Sequence, residues 1–143
     1  MFLLSVSVIF VADKRGTMEI LTRKYYADKV DSWIGKGNII VLVGPRRVGK
    51  SYILYQLINL IRDEERDANI IYINKEDLEF EFITNYRDLY DYVKERISDE
   101  HRNYIFVDEI QEIADFRLAI RSLALDENND IYITGSNSEM FSS

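Results

Sequence analysis

Within the 143 residues, Gly44-Pro45-Arg46-Arg47-Val48-Gly49-Lys50-Ser51 carry the types and spacing that can hold a chain of phosphates. They fit the pattern G-x-x-x-x-G-K-[ST], the P-loop. Gly44 and Gly49 allow the backbone to bend closely enough for its N–H groups to wrap the anion. A helix opening near Gly49 adds the positive end of its dipole at the same point. Lys50 then reaches the β- and γ-phosphates, and the Ser51 hydroxyl ligates Mg2+. These residues predict a nucleotide site.

A second set of residues answers the first. Asn103-Tyr104-Ile105-Phe106-Val107 runs into Asp108-Glu109, an apolar strand ending in acid, as P-loop enzymes use to hold Mg2+. Asp108 is the metal candidate, directly or through a water. Glu109, just past the strand end, can polarise a water attacking the γ-phosphate. An acidic pair after an apolar strand is common; one placed 58 residues after Lys50, with one strand and two helices between, is specific. A third stretch, Asp130-Ile131-Tyr132-Ile133-Thr134-Gly135-Ser136-Asn137, predicts a strand ending in small polar residues. Ligands of α/β sheets bind at strand C-termini, so Thr134, Ser136 or Asn137 can touch the γ-phosphate or orient the water. A simple polar turn accounts for the same residues.

The elements that must position these groups are legible in the hydrophobic pattern. Asn38-Ile39-Ile40-Val41-Leu42-Val43 predicts the strand entering the P-loop, and Tyr52 to Ile58 the helix leaving it. Leu54, Leu57, Ile58 and Ile61 mark that helix's buried face, ended by the charged run 63–67. Asn69 to Asn74 is apolar on both faces, as in a parallel sheet covered on both sides. Residues 75–82 predict a loop; Tyr86, Leu89, Tyr90, Val93 and Ile97 a helix; Ile113, Phe116, Ile120 and Leu123 another. Ahead of the P-loop, Tyr26, Val30, Trp33 and Ile34 predict a helix over Arg23 to Ile34, stopped by Gly35-Lys36-Gly37-Asn38.

Residues 2–12 form an apolar, β-branched run that reads as a strand. It is too short to span a bilayer, which takes roughly 20 residues as a helix. Its charges, Lys14 and Arg15, follow the run, whereas a secretion signal places them before it. Met18 is an alternative start. The apolar fraction of 47% and charged fraction of 30% describe one globular domain with a real core. Absence of cysteine excludes disulfides and thiolate metal sites, and a cytoplasmic location fits. Residues 1–62 hold ten basic and four acidic residues (+6), residues 63–143 eight and twenty-one (−13). The acidic half argues against nucleic-acid binding by this stretch alone.

With these motifs in hand, the chain resembles the AAA+-type predicted P-loop ATPases of bacteria and archaea over about residues 18–143. The resemblance lies in Gly44-x-Arg46-Arg47-x-Gly49-Lys50-Ser51, Asp108-Glu109-Ile110-Gln111-Glu112 and Ile133-Thr134-Gly135-Ser136-Asn137, with Arg23-Lys24-Tyr25-Tyr26 like that family's N-terminal helix. It implies a three-layer α/β P-loop NTPase fold with a parallel sheet, its strands ordered second, third, fourth, first. It implies ATP and Mg2+ as ligands, and ATP hydrolysis in a complete member. Nucleotide binding falls on Gly44, Pro45, Arg46, Arg47, Val48, Gly49, Lys50, Ser51 and Tyr52, and metal binding on Ser51 and Asp108. Catalysis falls on Glu109, Lys50 and Asn137, the last sensing the γ-phosphate.

Members of that family continue past the position of Ser143 into a fifth strand, a lid and a further domain. The expectation is thus an apolar extension over 1–17 and a C-terminally truncated core over 18–143. The truncation would leave an edge of the P-loop strand open, and residues 2–11 are one candidate to cover it. A nucleotide switch without turnover and an inactive remnant are the alternatives. The partners expected are the nucleotide, further copies of the chain, no membrane, and nucleic acid only through the missing elements.

Overall fold

The computed structural model describes residues 8–12, 18–22, 35, 37, 39–43 and 50–136. The helix expected over Arg23–Ile34 and the loop residues Gly44 to Gly49 lie outside the described residues, as does Asn137.

The described strands form one six-stranded sheet. They are β1 (Val8–Ala12), β2 (Met18–Thr22), β3 (Ile39–Val43), β4 (Asn69–Asn74), β5 (Asn103–Asp108) and β6 (Asn129–Gly135), in the spatial order β2-β1-β3-β6-β5-β4. β3, β6, β5 and β4 run parallel, in the order expected from the resemblance. The remaining two strands depart from an all-parallel sheet. β1 pairs antiparallel with β3, Val8 opposite Val43 and Ala12 opposite Ile39, so residues 8–12 of the early apolar run cover the edge of β3, while its residues 2–7 lie outside the described residues. β2, which the hydrophobic pattern did not foretell, pairs antiparallel on the outer side of β1.

Alternation along the parallel strands fills two cores, because successive side chains point to opposite faces. On one face Ile40, Leu42, Tyr104, Phe106 and Tyr132 meet Ile53, Leu54, Leu57, Ile58 and Ile61 of α1 (Lys50–Glu64). Phe106 and Tyr132 stack there with ring centroids 4.4 Å apart. On the other face Ile71, Ile73, Ile105, Val107, Ile131 and Ile133 lie under α2 (Tyr86–Lys94) and α3 (Phe116–Leu123). Three layers result, and both faces of the sheet's parallel part are covered.

Two helices differ from the periodicity. α2 ends at Lys94, short of Ile97, because the chain turns to place the Ser98 N–H on the side chain of Asn103, at 2.9 Å. α3 begins at Phe116 and excludes Ile113. Ile113 closes a 3-10 turn over Ile110–Glu112 in extended conformation, and the Ala114 N–H donates to the Thr84 carbonyl at 2.9 Å. Ile113 is nonetheless buried; apolar spacing recorded its burial, and a tertiary bond set its conformation. Leu78–Phe80, within the expected loop, forms a single 3-10 turn.

Polar residues pin the N-terminal ends of the parallel strands. Asn69, Asn103 and Asn129 stand in register. Asn69 Nδ2 donates to Asn103 Oδ1 at 2.8 Å and Asn103 Nδ2 to Asn129 Oδ1 at 3.0 Å. Beside them the buried Asp130 carboxylate accepts from the N–H groups of Gly35 (2.5 Å) and Gly37 (2.7 Å) and pairs with Arg102 at 2.6 Å. Gly37 has φ +75°, and a Cβ there would sit 3.0 Å from the Glu127 carbonyl, so only glycine fits this turn. The clamp fixes the turn preceding β3. Asp130→Ala is expected to lower unfolding free energy by about 3 kcal/mol, since it leaves the N–H groups of Gly35 and Gly37 without their acceptor and Arg102 with only the Glu127 carbonyl among its described partners. Urea unfolding of the two proteins measures it, and a loss under about 1 kcal/mol would refute this role.

Candidate functional site

The C-terminal ends of β5 and β6 meet the first turn of α1. Lys50 and Ser51 open α1, Asp108 ends β5, and Thr134 and Gly135 end β6. The Ser51 hydroxyl donates to Asp108 Oδ2 at 2.5 Å, and the Thr134 hydroxyl donates to Asp108 Oδ1. Both oxygens of this buried carboxylate are therefore held. Thr134 Oγ1 in turn accepts the Glu109 N–H at 2.9 Å. Of the three residues left open at the end of this strand, Thr134 serves the acidic pair: it fixes Asp108 and the backbone of Glu109. Ser136 is engaged as well.

Glu109 leaves the strand in a left-handed conformation, φ +58°, which costs a non-glycine residue about 1–3 kcal/mol and persists only where its surroundings impose it. Here the bond to Thr134 and the full burial of Ile110 impose it. The turn directs the Glu109 side chain into the site. Its Oε1 lies 3.5 Å from Lys50 Nζ, both groups being almost completely buried. Lys50 Nζ also donates to the Gly135 carbonyl at 2.9 Å. The second oxygen of Glu109, Oε2, accepts from the amide of Gln111.

Tyr72 on β4 borders the cluster. Burial above all, then its hydrogen bond with Tyr55 and the negative charge of Asp108, hold its hydroxyl well above the ordinary tyrosine range. It stays a neutral neighbour of the carboxylate. Tyr52, one residue beyond Ser51, is more than half exposed on α1.

The structure thus brings together Lys50, Ser51, Asp108 and Glu109, and adds Thr134, the Gly135 carbonyl, Gln111 and Tyr72. Gln111 was missed because residues two apart on a helix face different ways; only the left-handed turn followed by the 3-10 turn joins it to Glu109. Its signal was its place in the run Asp108-Glu109-Ile110-Gln111. Among the described residues no group of three or more His, Cys, Asp or Glu side chains converges. None of the helices there is long and apolar enough to cross a membrane.

A family model described as an AAA domain matches residues 36–143. The chain is 29% identical over 125 residues to an uncharacterized protein of Haemophilus influenzae, a match that covers 86% of this chain and 31% of the relative. It is 36% identical over 106 residues to an uncharacterized protein of Methanocaldococcus jannaschii, covering 73% of this chain and 22% of the relative. The chain therefore spans less than a third of the length of these curated relatives.

Proposed function

The chain belongs to the AAA domain family, and from that premise we propose that it binds ATP with Mg2+ where α1 meets β5 and β6, and hydrolyses the terminal phosphate. One observation carries the reading: Ser51 and Asp108, 57 residues apart in sequence, meet at 2.5 Å. A helix N-terminus supplies a hydroxyl and a strand tip supplies a carboxylate, side by side.

Mg2+ takes hard oxygen donors, commonly one or two from the protein together with substrate phosphates and waters. The Ser51 and Asp108 oxygens fit that requirement, and Thr134 keeps Asp108 turned towards it. A bound Mg2+ would withdraw negative charge from the phosphates. The chain's own residues do the rest. The backbone N–H groups of the stretch 44–49, Pro45 excepted, would be the donors offered to the phosphates, and Tyr52 completes the binding stretch. Lys50 leaves Gly135 and Glu109 for the β- and γ-phosphates. Glu109 then accepts a proton from the attacking water, and Asn137 senses the γ-phosphate. A cytoplasmic setting and self-association of the domain belong to the same reading.

Titration calorimetry with ATP tests it. Saturable binding is expected in the presence of Mg2+ and is expected to weaken when the metal is chelated. Ser51→Ala should reduce that metal-linked gain on the order of tenfold, the worth of one lost ligand oxygen at about 1.4 kcal/mol. No saturable binding of any nucleoside triphosphate at millimolar concentration would end the proposal.

A further inference from the structure

The amide of Gln111 touches one of the two oxygens of Glu109 through its Nε2. An anionic carboxylate at that contact dictates which way the amide faces: the NH2 group must point to it, and the carbonyl must point away. That carbonyl, Gln111 Oε1, is buried and has no hydrogen-bond partner among the described residues. Orphaned buried acceptors are rare in folded proteins, and a catalytic role or a bound water is among the explanations they call for. The other oxygen of Glu109 faces Lys50 at 3.5 Å. One oxygen is therefore tied to a neutral amide, and the other to a cation that a triphosphate would draw away.

We propose that Gln111 is a positioning residue for ATP hydrolysis: its amide N–H holds Glu109, and its unmatched carbonyl accepts the second hydrogen of the attacking water. The inference rests on the ATPase reading above. In the reaction the water oxygen bonds to the γ-phosphorus, and the bond from that phosphorus to the β–γ bridging oxygen breaks. The electron pair leaves with ADP, and Glu109 takes one proton of the water. The second hydrogen stays on the phosphate formed, and Gln111 gains and loses nothing. Phosphates that drew Lys50 away would leave Glu109 Oε1 open to the water.

The test compares the wild-type chain with Gln111→Met, which keeps the length of the side chain and removes both polar ends. Gln111→Glu is the second variant, should the first not fold; it keeps the shape and replaces the N–H donor by a repelling charge. Three quantities are measured: affinity for ATP and ADP, affinity for ADP with aluminium fluoride as a mimic of the transferring phosphoryl group, and turnover. The expected result leaves ATP and ADP affinity within about twofold. Turnover and affinity for the fluoride complex both fall about 10- to 100-fold, the size of a hydrogen bond to a charged group. A purely structural role would weaken ADP and the mimic equally, and that outcome overturns the proposal. Unchanged turnover and unchanged mimic affinity overturn it too, while leaving the ATPase reading intact. Where the wild-type chain binds ATP without turnover, affinity for the mimic alone decides. A wild-type chain that binds no ATP defeats the reading beneath, and this proposal with it.

Discussion

Lys50→Ala is expected to cost the chain its ATP affinity, by about 100-fold or more, and part of its stability as well. The first effect follows from removing the cation meant for the β- and γ-phosphates; truncating one partner of a buried charge pair typically costs about 2–5 kcal/mol. The second follows from the geometry of the ion pair itself. Lys50 Nζ lies 3.5 Å from Glu109 Oε1, with the two side chains only 4% and 6% exposed. Removing the ammonium leaves a buried carboxylate without its counter-charge, a loss of about 3–5 kcal/mol where nothing else compensates. Gln111 still donates to the other oxygen of Glu109, so the lower end of that range applies. The two effects are separable. Adding Glu109→Gln to Lys50→Ala neutralises the stranded charge and should restore most of the lost thermal stability, with no return of ATP binding. Calorimetric titration and thermal melting of the two single variants and the double variant form one cycle. Wild-type ATP affinity in Lys50→Ala would show that this lysine does not hold phosphate. Equal melting temperatures for Lys50→Ala and the double variant would show that the pair with Glu109 carries no stability.

Lys50, Ser51 and Asp108 were legible in the sequence because phosphate and Mg2+ chemistry admits few side chains at few spacings. β5 and β6 were legible because a strand buried on both faces carries an apolar run, and β4, buried on one face and half-buried on the other, carries one too. Where a residue's role depends on a distant partner, local pattern fell silent. Met18–Thr22 is five residues long with Glu19 at its second position, so neither alternation nor an apolar run distinguishes it. Its available clue was the polar, glycine-containing stretch 13–17 after a β-branched run, which is hairpin chemistry. Asp130 and the three strand-opening asparagines are turn-formers by type. The partners that make them a clamp and an inter-strand ladder lie 26 to 95 residues away, beyond any local reading. Ile113 was read as helical from apolar spacing, and the Ala114–Thr84 bond overrides that propensity. Thr134 could not be told from Ser136 or Asn137 at the end of β6, since all three can meet a phosphate. Burial and a hydrogen bond to Asp108 give it a different task. The proposed choice of Glu109 over Asp108 as base rests on a physical argument: Asp108 has both oxygens bound by hydroxyls, whereas Glu109 Oε1 faces Lys50, which the proposed mechanism moves to the phosphates.

Glu109→Gln should separate binding from chemistry in the opposite sense to Lys50→Ala. The substitution keeps the shape of the side chain, removes a negative charge close to where the γ-phosphate would sit, and ends the ion pair with Lys50. Both changes favour the triphosphate, so ATP affinity should be equal to the wild type or tighter. Turnover should fall about 10²- to 10⁴-fold, the usual contribution of a positioned general base. The left-handed turn at residue 109 persists in the variant, because Thr134 and Ile110 impose it through the backbone and through burial rather than through the carboxylate. Loss of rate is therefore not laid to a collapsed site; the variant strands the buried Lys50 ammonium and should melt at a lower temperature, so retained ATP affinity is the check that the site still stands. Release of phosphate, followed under saturating ATP and Mg2+ with both proteins purified identically, provides the measurement. Full activity in Glu109→Gln would place the base elsewhere. A wild-type chain that binds ATP with Mg2+ yet releases no phosphate would make the domain a nucleotide switch. In that case the Lys50–Glu109 pair, broken by nucleotide and reformed on its departure, is the element whose two arrangements would carry the signal.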